Sequence, residues 1–152
     1  MKSLVIALIL AGLTSAAWSQ TPPPEWSGQD GAHKIEQAIA EGAPTETVGV
    51  EIEVLENIAL DHLGNIGKGS SLRARKITLQ PGARIAVHRH TTRPTVVYVI
   101  SGEVFEYRND SDEPQLRRAG DSFTEGPGLV HWVENVSCEP ATAFAVDIYS
   151  EE

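Results

Sequence analysis

The sequence holds a single cysteine, Cys138, so no disulfide can form within the chain and stability has to come from a packed core. Positive charge is scarce as well: twelve Lys and Arg stand against twenty-one Asp and Glu, a formal charge of -9. A surface of that sign repels phosphate backbones and anionic lipid headgroups, which excludes nucleic acid as an expected partner. No apolar run reaches the ~20 residues that a membrane-crossing helix needs; the run from Leu4 to Leu13 falls well short. Nor is there length for two ordinary domains, since 152 residues build one compact unit with a real core. With 41% hydrophobic and 22% charged residues, neither disorder nor a fibrous repeat has compositional support.

The first nineteen residues differ from the rest. Lys2, the apolar stretch Leu4 to Leu13 and the small residues Thr14 to Ser19 have the three-part layout of a secretory leader, with cleavage expected after Ala17 or Ser19. A periplasmic or secreted protein is therefore expected, without membrane attachment once the leader 1–19 is removed. Residues 20–46 read as a lead-in: Thr21 to Gly28 is rich in proline and expected to be extended. Asp30 to Glu41 then sets Ala32, Ile35, Ile39 and Ala40 near one face of a short amphipathic helix that Asp30 can cap. Gly42 and Pro44 end it.

From residue 47 to 152 the pattern changes to a period of two. Val48, Val50, Ile52 and Val54 alternate with Gly49, Glu51 and Glu53, and further strands are expected over Leu72 to Leu79, Val96 to Ile100, Val104 to Tyr107 and Ala141 to Tyr149. Turn signals divide them at Leu63 to Ser70, Pro81-Gly82, Asn109 to Pro114, Ala119-Gly120-Asp121 and Gly126-Pro127-Gly128. Short strands separated by Gly and Pro, with no helix between them, predict an all-β sandwich or barrel of antiparallel strands.

The chemistry is concentrated in two stretches. His88 and His90 are two residues apart, so on a strand both imidazoles project from one face, and His131 follows the turn at Gly126-Pro127-Gly128. Three neutral imidazoles make a competent donor set for Fe, Zn, Mn, Ni or Cu, leaving positions open for water or substrate. Gly82, five residues, His88-Arg89-His90, four residues, Thr95, six residues and Gly102 resemble the first motif of the cupins, and Gly120, Gly128, His131 and Asn135 resemble their second, with Pro127 one place late. The resemblance spans about Glu46 to Tyr149. It implies a single cupin jelly-roll β-barrel with a short N-terminal helix, a divalent metal on His88, His90 and His131, and pairing into a homodimer. Where most metal-binding cupins carry a glutamate ligand this chain has Thr95. The site accordingly reads as an all-histidine face, similar to the three-histidine cupin oxygenases.

Two functions follow as expectations: a metal-dependent, oxygenase-like enzyme acting on a small organic molecule, or a non-catalytic module that binds a small ligand or metal. For the enzyme, Tyr98, Arg93 and Glu125 are the expected catalytic side chains around the ion, Arg93 placing a cation beside an anionic substrate. Tyr98, Phe105, Phe123, Trp132 and Phe144 are candidates to line the cavity, although Trp132, next to His131, should point to the barrel exterior. His33 and His62 read as surface residues, and Cys138 as an inert thiol in a turn.

Overall fold

A computed structural model describes residues 28–150, and its side chains from residue 34 onward with the exception of Ile66. The leader, its cleavage site and the lead-in before Gly28 lie outside the described residues, as does the side chain of His33. Helix α1 runs Gly28–Ala40, two residues earlier than the Asp30 cap implied, so Asp30 is inside the helix. Its end follows from Gly42. That residue takes φ +100, the Gly42 N–H donates to Ile39 O and the Ala43 N–H to Ala38 O, a Schellman arrangement that also buries Ala38 against Ala43. No helix among the described residues is long and apolar enough to cross a membrane.

Eight strands follow: β1 Val48–Ala59, β2 Ser70–His90, β3 Thr95–Ser101, β4 Glu103–Arg108, β5 Gln115–Arg118, β6 Ser122–Glu125, β7 Leu129–Glu134 and β8 Ala141–Ser150. They pair antiparallel in the order β5-β4-β7-β2-β8-β3-β6, with β1 added on β2, and curl into a jelly-roll half-barrel. A six-residue 3-10 turn, Asp61–Ile66, joins β1 to β2.

The expected turn at Pro81-Gly82 is instead a bend inside β2. Gly82 adopts φ +76 and donates its N–H to Asn135 O at 2.8 Å, so the chain turns while the strand continues. The consequence is structural. Residues 71–79 of β2 pair with β1 and β8, whereas residues 84–90 pair with β7, Arg84 also meeting Val48 of β1, so a single 21-residue strand belongs to both walls of the barrel and carries His88 and His90 over to face β7.

Alternation then sorts the side chains. Leu79, Ala83, Val104, Val133 and Ala141 form an apolar core, with Val50, Ile77 and Ile85 against it. Deleting any one of the larger members would cost roughly 2–5 kcal/mol through lost transfer energy and a residual void. Above this floor the barrel interior is polar: Arg75, His90, Thr95, Glu106, Glu125, His131 and Asp147 are all buried. Buried polar groups persist only when paired, so this layer is where function has to be sought.

Candidate metal centre

His88 and His131 sit directly opposite one another in the β2–β7 ladder, which brings two residues 43 apart in sequence into cross-strand contact. His90 projects from the same face of β2. The three rings meet through their Nε2 atoms: His88 to His90 is 3.2 Å, His131 to His88 is 3.1 Å and His131 to His90 is 3.1 Å.

The other ring nitrogens are all engaged elsewhere. His88 Nδ1 lies 2.9 Å from Ala86 O, His90 Nδ1 lies 2.8 Å from Arg93 O, and His131 Nδ1 lies 3.1 Å from a carboxylate oxygen of Glu106. All three partners are acceptors, so each Nδ1 carries the hydrogen and each Nε2 presents a lone pair. Three lone pairs aimed at one point repel unless a cation stands between them. Two nitrogens held by one ion at about 2.0–2.1 Å stand about 2.9–3.4 Å apart across octahedral to tetrahedral angles, and the observed spacings fall in that range. The donor set fits a divalent metal ion.

Burial keeps the rings of His88 and His90 neutral. Burial lowers the pKa of His88 to about 3, reinforced by the charge of His131, and burial lowers that of His90 to about 4 against the opposing pull of the Arg93 carbonyl. Glu106 is fully buried. Its oxygens accept from Arg108 Nη1 at 2.8 Å, from Arg117 Nε at 2.9 Å and from His131. Burial works to raise the Glu106 pKa, but the bond to His131 and the charge of Arg108 outweigh it and hold the carboxyl below its usual range. Glu106 thus orients His131 from behind. Sequence reasoning passed over it, although its parity with Val104 on one strand was a usable signal of an inward-facing charge.

A second donor group, Glu106, Glu125 and His131, shares His131 with the first. Within it Glu125, 9% exposed, is the member on the Nε2 side: one oxygen lies 3.3 Å from His90 Nε2 and the other 3.8 Å from His131 Nε2. Burial raises its pKa. Thr95, buried beside it, places Oγ1 at 3.4 Å from His90 Nδ1, on the edge of the ring that faces away from the cluster.

The sequence pattern of the cupin domain matches residues 75–149. The chain belongs to the cupin superfamily. No curated protein matches it in sequence. Its fold is similar to that of the Cnp3 cupin domain of Schizosaccharomyces pombe, with 11% identity, 70% of this chain and 69% of that one covered and a TM-score of 0.55. It is similar too to the polyketide cyclase RemF of Streptomyces resistomycificus, at 13% identity, 70% and 69% coverage and TM-score 0.54. A predicted oxalate decarboxylase of Thermotoga maritima matches at 20% identity, 71% and 94% coverage and TM-score 0.53. At these identities the likeness is one of fold.

The cupin frame also shows where the other expected residues stand. Tyr98 does not face the site: inward positions on β3 are Thr95, Val97 and Val99, so Tyr98 is on the outer surface, 48% exposed. This corrects its expected catalytic place. Phe144, its cross-strand neighbour, and Phe105, between inward Val104 and Glu106, share that outward orientation, leaving Phe123 as the expected aromatic that reaches the interior cavity. Trp132 lies outside as expected, stacked on Tyr107 with centroids 4.7 Å apart. Arg93 lends its carbonyl to His90 and lines a cleft of about 340 Å³ that it shares with His88, Thr91, Thr92 and Tyr149. Behind it, Arg73 and Arg75 contact buried Asp147 at 2.9 and 3.0 Å, and Arg93 approaches the same carboxylate at 3.8 Å. His62 is exposed, and Cys138 is exposed in the bend after Asn135.

Proposed function

We propose that this cupin is an exported, metal-dependent, oxygenase-like enzyme that acts on a small organic molecule at the His88, His90 and His131 centre. One observation carries the reading: all three Nδ1 hydrogens are committed to other acceptors while the three Nε2 lone pairs converge at 3.1–3.2 Å. A bound ion would supply Lewis acidity and, if redox-active, a route for electrons to dioxygen. The remaining roles belong to the protein. His88 is the ligand that opens on the cleft, so substrate approaches from that side. Arg73, Arg75 and Arg93 outnumber Asp147 and Glu125, the carboxylates they act on, which leaves that flank electropositive, and Arg93 is placed to hold a substrate carboxylate there. Glu106 fixes the tilt of the His131 ring. The export assignment rests on the leader pattern of the first nineteen residues.

A non-catalytic module that captures a small ligand or metal is the second reading, favoured by one observation. Tyr98 faces away from the cluster, which leaves fewer groups for proton transfer near the ion. Elemental analysis of protein purified without affinity nickel decides the first step. About one iron, copper or other transition ion per chain is expected in the wild type, and none in His88→Ala or His131→Ala. Oxygen uptake with small carboxylic and phenolic compounds then supports the enzyme, and saturable binding without uptake supports the module. A wild-type protein that takes up no metal overturns the enzyme reading and leaves only a module for a small ligand.

A further inference from the structure

Thr95 occupies the place on β3 where the cupin pattern expects a carboxylate, yet its hydroxyl lies beside His90 Nδ1 and also donates to Arg93 O at 3.3 Å. It is turned away from the Nε2 face. The ladder between β3 and β6 pairs Thr95 with Glu125. Directly paired residues on one face of a sheet hold their Cβ atoms about 4.5–5.5 Å apart, so a carboxylate on the neighbouring strand, carried by the longer glutamate side chain, can serve the same point in space.

The Glu125 carboxylate borders two of the three Nε2 atoms. Its oxygens stand 3.3 Å from His90 Nε2 and 3.8 Å from His131 Nε2. Both nitrogens present lone pairs, because their Nδ1 atoms carry the hydrogens. Neither ring brings a positive charge while neutral, and the charges of Arg75 and Arg93 act on this carboxylate from beyond ion-pair distance. A buried carboxylate facing lone pairs is costly, and a cation shared among these atoms removes the cost. Glu106, by contrast, is saturated by Arg108, Arg117 and His131 Nδ1 and stays behind the ring.

We propose that Glu125 is the fourth protein donor of the metal centre, so that the carboxylate which other cupins place on β3 is supplied here from β6. The inference rests on the metal reading given above. The centre is then three imidazoles and one anion. Its protein donors cancel one charge of a divalent ion, which favours harder cations over an all-imidazole site.

The test uses chelator-treated full-length protein, as wild type, Glu125→Gln, Glu125→Asp and His131→Ala. Titration calorimetry with Mn(II) should show wild-type binding, a loss of about 100-fold or more in Glu125→Gln and an intermediate value in Glu125→Asp. The visible absorption of the Co(II) forms should differ between wild type and Glu125→Gln, since a donor has been exchanged. If Glu125→Gln binds Mn(II) as tightly as wild type, or weakens with an unchanged Co(II) spectrum, Glu125 is no ligand and the inference falls, while the histidine centre stands. If the wild type itself binds no metal, the metal reading falls with it. Should Glu125→Gln fail to fold, Glu125→Asp carries the same comparison: wild-type affinity and spectrum overturn the proposal, weaker binding with a changed spectrum supports it.

Discussion

His88 and His90 take up a second ring proton only below pH about 3 and about 4, because burial penalises the charged rings. An unfolded chain protonates the same rings near ~6.5. Between those values the unfolded state binds more protons than the native one, so the metal-free fold must lose stability as pH falls from ~6.5, the loss levelling off below about 3. Every tenfold difference in a ring's proton affinity between the folded and unfolded chain is worth about 1.4 kcal/mol. Urea titrations of chelated protein should show the midpoint falling steadily from pH 6.5 to 4, and a flat midpoint would mean that the rings are not buried as neutral bases. At this scale the histidine pair was legible, since a two-residue spacing on a strand needs no further information. Glu125 too was expected around the ion; its pairing with Thr95 was not legible, because it depends on which strand lies beside β3.

Two glycines of the cupin pattern separate conformational strain from crowding at the level of elements. Gly120 has φ +94 with open space where a Cβ would sit, and Gly102, between β3 and β4, has φ +72 with a Cβ position only 2.6 Å from Pro140 O and 2.7 Å from Ala141 Cα. Gly120→Ala should cost about 1–2 kcal/mol, the strain of the left-handed region alone. Gly102→Ala should cost a further ~1–3 kcal/mol, because the start of β8 has to move. Equal losses in urea unfolding would show that the β3–β4 turn yields freely. The elements missed or misread in sequence have a common cause. β5 and β6 are four residues each, too short for a period of two to declare itself, and the proline and glycine of β2 mark a bend within a ladder as readily as a turn between strands.

For the molecule as a whole, the outer face of the β1-β2-β8-β3 sheet carries apolar rows beside the exposed Lys76–Glu53 pair. Ile58, Leu72 and Ile148 form one cross-strand row, Val96 lies beside Val146 and Tyr98 beside Phe144, and Ile58, Leu72, Ile148, Val96 and Tyr98 are all exposed. β1 has a ladder on one side only among the described residues. Surfaces of this kind are associated with protein contacts, and we propose that a second copy covers it, joined by a two-fold axis that sets the two faces together. Light scattering should give twice the chain mass, and Tyr98→Glu with Ile148→Glu should halve it. A wild-type monomer at micromolar concentration would overturn the dimer.

Alternation, turn residues and the spacing of His88, His90 and His131 are local properties, and the sequence alone determined from them an antiparallel β-domain with a three-histidine site. Strand pairing is not local. Only the tertiary structure decided that β2 runs through Pro81-Gly82 to set His88 opposite His131, that Glu106 backs that ring, and that Glu125 lies across from Thr95. Each of these joins residues between about 20 and 45 positions apart. The preference of a strand for its partner arises from the closure of the whole barrel, which no window of sequence contains.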